Sequence, residues 1–122
     1  MINAPIFEVL FQDPTVLKLL GPKILRFYSF DNKPEEVVPP YGTFQNYGGA
    51  PEQYLGTLPD VDTWSFQVDI YAKTAAEVRT IATAIRDAIE PHCYITRWGV
   101  QVIDDDKKYF RYSFDVDWMT LR

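Results

Sequence analysis

Three aspartates sit at alternating positions in two strand-like stretches of this 122-residue chain. Asp69 lies in the run from Trp64 to Ala72, with Asp115 and Asp117 in the run from Tyr109 to Trp118. Carboxylates gathered on one sheet face can hold a divalent cation or share acid–base work. The same spacing is also that of an ordinary solvated sheet face, and no Lys, His or Gly-rich loop accompanies it. Asp104, Asp105 and Asp106 could ligate a hard cation through oxygen, or form the solvated tip of a hairpin. His92 is the only histidine and Cys93 the only cysteine. Being neighbours in an extended segment, they point to opposite sides, which places them poorly as a nucleophile and its base. A zinc site needs about four ligands, more than this pair supplies. Gly48-Gly49 is not followed by the Gly-Lys-Ser/Thr of a phosphate loop. No catalytic, cofactor-binding or metal-ligating residue is assigned, and no enzyme is expected.

Composition narrows the classes further. The net charge of −5 and the pI near 4.7 argue against a nucleic-acid-binding surface, which needs a basic patch. One cysteine cannot close an internal disulfide. No charged segment followed by an apolar one opens the chain as a signal peptide would. No apolar stretch approaches the roughly 18 residues of a membrane span. The length fits a single domain, residues 1–122, with a real core.

The elements that would position the aspartates follow from periodicity. Trp64, Phe66, Val68, Ile70 and Ala72 share one face of a strand, and Ser65, Gln67, Asp69 and Tyr71 the other. Phe110, Tyr112, Phe114, Val116 and Trp118 alternate likewise with Tyr109, Arg111, Ser113, Asp115 and Asp117. Thr74 and Glu77 form a capping box before a helix whose stripe is Val78, Ile81, Ala82, Ile85, Ala88 and Ile89, ended by Pro91. Tyr94 to Ile103 reads as a further strand. Ile24 to Phe30 and a weaker Tyr41 to Tyr47, interrupted by Gly42, are two more.

The N-terminal stretch EVLFQDP, Glu8 to Pro14, is one residue from the EVLFQGP site cut by picornaviral 3C proteases. Its apolar residues nonetheless keep helical phase with Ile6, and Asp13-Pro14 is a cap with a first-turn proline. It therefore reads as native sequence in a helix broken at Asp13, started by Asn3-Ala4-Pro5 and ended by Gly21-Pro22. The order α-β-β-β-α-β-β implies an α+β two-layer sandwich, a mainly antiparallel sheet with helices over one face.

Two segments remain as loops. Residues 31–40 are Pro-rich and carry Glu35 and Glu36. Residues 48–62, GGAPEQYLGTLPDVD, hold Glu52, Tyr54, Leu55, Leu58 and Val61 among turn residues. Loops this long usually have a use. The apolar groups of 48–62 either pack on the loop's own core or meet a partner.

Together these residues resemble the tail-completion (tail-terminator) proteins of long-tailed bacteriophages. The match runs over nearly the whole chain: the N-terminal helix with Asp-Pro and a Leu-Leu-Gly end, PEQYLGTLPDVDTWSFQVDIYA, the helix ending AIRDAIEPH, and YFRYSFDVDWMTLR. The resemblance implies a structural virion protein that is no enzyme and has no cofactor or membrane partner. It would be assembled in the host cytoplasm as a ring, typically a hexamer, on the head-proximal end of the tail tube. The ring would stop tube polymerisation by the major tail tube protein and dock the head-completion or connector protein. DNA would pass through its lumen without specific binding. On that reading Glu35, Glu36, Glu52, Tyr54, Leu55 and Leu58 are candidate ring or tube contacts. Asp104, Asp105 and Asp106, or the face of Asp69, Asp115 and Asp117, are candidates for the lumen. The alternatives are another neck adaptor ring, a metal-dependent enzyme built on Asp69, Asp115 and Asp117, or a small-ligand module with an enclosed apolar pocket.

Overall fold

A computed structural model describes residues 4–21, 23–53, 56–103 and 109–122. The elements are α1 (Ile6–Phe11), α2 (Pro14–Leu20), β1 (Phe27–Ser29), β2 (Tyr41–Pro51), β3 (Val61–Ala72), α3 (Ala75–Ile89), β4 (Cys93–Ile103) and β5 (Phe110–Leu121). The five strands form one sheet in the order β1-β2-β3-β5-β4, antiparallel except for the β1–β2 pair. Phe66, Val68 and Ile70 of β3 and Phe114 and Val116 of β5 are buried on one face. They pack with Ile6 and Leu10 of α1, Val16 and Leu20 of α2, and Ile81, Ile85 and Ile89 of α3. The chain is thus the expected α+β two-layer sandwich.

Local signals explain most of the boundaries. Asp13 has an extended backbone, and its carboxylate accepts from the Val16 amide at 3.0 Å, which caps α2 immediately before its first residue, Pro14. Thr74 Oγ1 accepts from the Glu77 amide at 3.1 Å and starts α3. Gly21 ends α2 at φ 130°, and a Cβ there would lie 2.2 Å from the Ile24 carbonyl. Pro5 occupies the N-cap position of α1 rather than its first turn. Asn3 and Pro22 lie outside the described residues.

The stretch EVLFQDP is the end of α1, the break and the start of α2, with Leu10 fully buried. Cleavage after Gln12 requires an extended segment, so Leu10 must first leave the core. We expect 3C protease to leave the folded chain intact over a digestion that cuts an unfolded control to completion. Asp13→Ala, which removes the α2 cap, should cost about 1 kcal/mol in a urea titration.

Two strands differ from the sequence reading. The strand expected over Ile24 to Phe30 is limited to Phe27–Ser29, because its pairing with β2 begins at Phe27, opposite Gly42, and Ile24 faces solvent. Gly42 does not weaken β2: a Cβ there would come within 2.7 Å of the Phe27 ring, so the glycine lets that ring lie against the strand. The loop expected over 48–62 is largely hairpin. Gly48 to Pro51 continue β2, paired through Pro51↔Asp62 with β3 after a bulge at Tyr47. Pairing on the β3 side overrides the poor strand propensity of Gly-Gly-Ala-Pro. Pro51 is tolerated because β1 pairs β2 only as far as Phe44, which leaves the outer edge of β2 free beyond it.

Candidate assembly surfaces

The helix-free face of the sheet brings the three aspartates together. The register sets Asp69 opposite Ser113, Gln67 opposite Asp115 and Ser65 opposite Asp117. Asp69 Oδ1 accepts from Gln67 Nε2 at 2.8 Å and from the Ser113 hydroxyl. Asp117 accepts from Ser65 Oγ at 2.7 Å, and Asp115 is 3.8 Å from Arg97 Nη1. Partial burial, then the charges of Asp115 and Asp117, push the nearby Tyr47 phenol above its ordinary value. The aspartates are thus tied to their neighbours as a polar, negatively charged face. Among the described residues no group of three or more His, Cys, Asp and Glu is placed to hold a metal ion.

The β2–β3 hairpin is tied at its base, just beyond the last paired residues Pro51 and Asp62. The Glu52 amide donates to the Val61 carbonyl at 2.8 Å, and Thr63 Oγ1 donates to Glu52 Oε1 at 2.9 Å. Glu52 therefore closes the hairpin rather than standing free on a loop. Arg122 clamps the other strand. Its Nε and Nη2 donate to the two Asp62 oxygens at 3.0 and 2.9 Å, its Nη1 donates to the Pro59 carbonyl at 3.3 Å, and its backbone amide donates to the Asp60 carbonyl at 2.9 Å. The Arg122 hydrogen bonds hold the Asp62 carboxyl below the usual range. Leu58 is 87% exposed. Tyr54 and Leu55 lie outside the described residues, as do Asp104, Asp105 and Asp106.

The loop after β1 runs from residue 30 to residue 40. Arg26 Nε anchors its end by donating to the Pro40 carbonyl at 2.8 Å, and Lys33 Nζ sits 5.8 Å above the Tyr41 ring. Glu35 and Glu36 are exposed, and Val38 is 71% exposed.

A groove between α3 and β4, on the opposite side of the sheet, is not visible in the sequence. It has a volume of about 240 Å³, and Arg79, Thr83, Arg86, Trp98 and Gln101 are among its lining residues. Trp98 is 44% exposed, although its ring packs 5.2 Å from Phe114 and 5.8 Å from Tyr112. Arg86 is paired with Asp87 at 3.1 Å and Glu90 at 3.6 Å. Arg79 donates from Nε to the neutral Gln101 Oε1 at 3.0 Å and is in no ion pair among the described residues. Side chains from a helix and a strand some twenty residues apart build this groove, so no local motif marks it.

His92 and Cys93 stay apart in role. The imidazole stacks on Trp118 with centroids 6.1 Å apart, while the Cys93 thiol is buried and donates to the Ile89 carbonyl at 3.2 Å. Burial first, and the Glu90 charge second, push the thiol from an ordinary 9.0 up to about 12. A thiol reagent at pH 8 should leave Cys93 unlabelled until denaturant is added. A raised thiol value stabilises the fold fully below about pH 9, and that contribution is lost as pH rises through about 12. Cys93→Ala should flatten that part of an alkaline stability profile.

Comparison with known proteins places these surfaces in context. A family model described as "Tail completion protein gp17" matches residues 4–121. No individual curated sequence is significantly similar to the chain. A chain in the virion of a native gene transfer agent particle superposes with a TM-score of 0.74 at 12% identity, covering 96% of this chain and 92% of that one. The gp17 protein of bacteriophage SPP1 superposes with a TM-score of 0.53 at 12% identity, covering 94% and 85%. At that identity the two structures show a shared fold.

Proposed function

The chain belongs to the tail completion protein gp17 family, whose role is structural, and from that premise we propose that it caps the head-proximal end of a phage tail tube as a ring, typically a hexamer. Capping ends polymerisation of the major tail tube protein and presents the surface to which the head-completion or connector protein docks. The observation that carries this reading is the family match over residues 4–121. It is supported by two exposed, partner-seeking segments at separate places on a rigid sandwich: the hairpin bearing Leu58, and the loop bearing Glu35, Glu36 and Val38.

A ring needs one patch that meets a different patch on the next copy, and closure of that contact distinguishes a ring from a filament. In our reading the hairpin, with Glu52, Tyr54, Leu55 and Leu58, meets the tube. The lumen is lined by the polar face with Asp69, Asp115 and Asp117, or by the Asp104, Asp105 and Asp106 stretch. Negative charge there repels the phosphate backbone, so DNA slides through without being held.

The test is tube assembly. The major tail tube protein is polymerised with and without this protein, and tube lengths and ends are scored by electron microscopy. We expect overlong, open-ended tubes without it, and shorter tubes with a ring at one end when it is present. Equal length distributions with no ring on any end would overturn the proposal. Rings at the head–tail junction of particles whose tube length does not respond to the protein would make it a neck adaptor instead.

A further inference from the structure

We infer that neighbouring copies in the ring are joined through the helix layer: the outer face of α1 of one copy, with Phe7, Glu8 and Phe11, seats in the α3–β4 groove of the next. The inference rests on the ring reading above and names the two surfaces that meet.

The helix layer stops short of β4. α3 packs on β3 and β5. Beyond it, Trp98, Gln101 and Ile103 of β4 stand opposite Phe114, Tyr112 and Phe110 of β5, on the helix-bearing side of the sheet. All three are exposed, so no helix of the same copy covers them. The groove along them is continuous. Its 240 Å³ hollow, which holds Thr83 and Trp98, shares Arg79 and Gln101 with a second of about 160 Å³ that reaches Ile103. A groove with a helix for one wall and a partly apolar strand for its floor is the shape that an amphipathic helix fills.

α1 is the helix with the matching surface. Of the three helices it alone turns large apolar side chains to solvent: Phe7 and Phe11, one turn apart and stacked with centroids 5.9 Å apart. The exposed residues of α2 are Pro14, Thr15 and Lys18, and those of α3 are polar or small. Glu8 lies beside the two rings, exposed and in no ion pair among the described residues. In the groove Arg86 is already paired with Asp87 and Glu90, whereas Arg79 bonds the neutral Gln101 and has no described carboxylate against it. An acidic–aromatic helix face thus complements a basic–aromatic groove in a chain whose overall charge is −5. Like charges would otherwise keep two copies apart, so an uncompensated cation helps to fix where they meet. Arg and Trp are also among the residue types that most often carry binding energy at interfaces. Because face and groove are different patches, the contact passes from copy to copy, as a ring requires.

Paired cysteines test the seating. Glu8→Cys and Thr83→Cys place one thiol on the α1 face and one in the groove, and buried Cys93 serves as the internal control. In the presence of tail tubes, mild oxidation should link the double variant into a ladder that ends at the ring number. Each single variant and the unsubstituted chain should remain unlinked. Glu8→Arg and Arg79→Glu should each weaken ring formation roughly tenfold or more, and so should Phe11→Ala, whose fold remains intact in a urea titration. Combining Glu8→Arg with Arg79→Glu should recover most of the loss, which a merely structural defect would not allow. Rings that form normally while the double-cysteine variant stays unlinked, or that ignore both reversals, overturn the inference alone. So does a linked product that stops at the dimer, because two copies would then be paired reciprocally. An unsubstituted chain that never forms rings on tube ends overturns the ring reading and this inference with it.

Discussion

Phe66→Ala is expected to lower the stability of the folded chain by about 3–5 kcal/mol, the cost of truncating a fully buried aromatic ring. Phe66 is fully buried in the middle of β3, paired with Asn46 of β2 on one side and Val116 of β5 on the other. Its ring meets Phe44 edge-on at 6.1 Å and lies 6.3 Å from Trp118. Removing it strips contacts from both neighbouring strands and leaves a cavity that paired backbones cannot collapse to fill. For a chain of this length the melting temperature should fall by roughly 10–20 °C. The urea midpoint should fall while the slope stays constant, because the surface exposed on unfolding is nearly unchanged. Phe11→Ala is the control: that ring is about half exposed on α1 and stacks on Phe7, with centroids 5.9 Å apart. Its truncation should cost less than about 1 kcal/mol. A Phe66→Ala variant as stable as Phe11→Ala would mean that the helices do not cover this face of the sheet.

The same contrast shows what the sequence carries and what it hides. Phe66, Val68, Ile70, Phe114 and Val116 are legible as core because strand periodicity is two and one face is covered, so alternation and burial coincide. Asp13 and Thr74 are legible because a capping side chain acts on an amide only three residues away. Asp69, Asp115 and Asp117 can be assigned to one face by alternation, but their partners cannot: Ser113, Ser65 and Arg97 are supplied by register, a long-range property. The Gly48–Pro51 stretch misleads for a related reason. Its composition records the intrinsic preference of the chain, whereas its structure is set by the β3 backbone from Ser65 to Asp62. The role of Gly42 also lies outside any local window, since the group that needs the space, the Phe27 ring, belongs to another strand. The α3–β4 groove is the extreme case: Arg79 and Trp98 are meaningful only once helix and strand are side by side.

Replacing residues 54–59 with an Asn-Gly turn should abolish tube capping while leaving the fold intact. The bounds follow from the ladder. A cut from 50 to 58 would remove Ala50 and Pro51 from their pairing with Thr63 and Asp62, and would confuse loss of a contact with damage to β3. The narrower replacement keeps Glu52, whose amide bonds to Val61, and keeps Asp60 and Asp62, which hold Arg122. Asn-Gly closes a two-residue hairpin with the twist that paired strands require. The tip contributes no described residue to the core, and shortening a loop has a small entropic effect, so stability should stay within about 1 kcal/mol. Capping should nevertheless fail, because exposed Leu58 is lost together with the Tyr54 and Leu55 positions. Arg122→Ala grades the effect. It keeps every tip residue but frees the strand the tip depends on, so amide exchange at Glu52 should quicken and capping should weaken without vanishing. Tubes of normal length, capped by the tip-replaced protein, would remove the hairpin from the tube contact and leave the polar face and the loop after β1 as the remaining surfaces able to reach a partner.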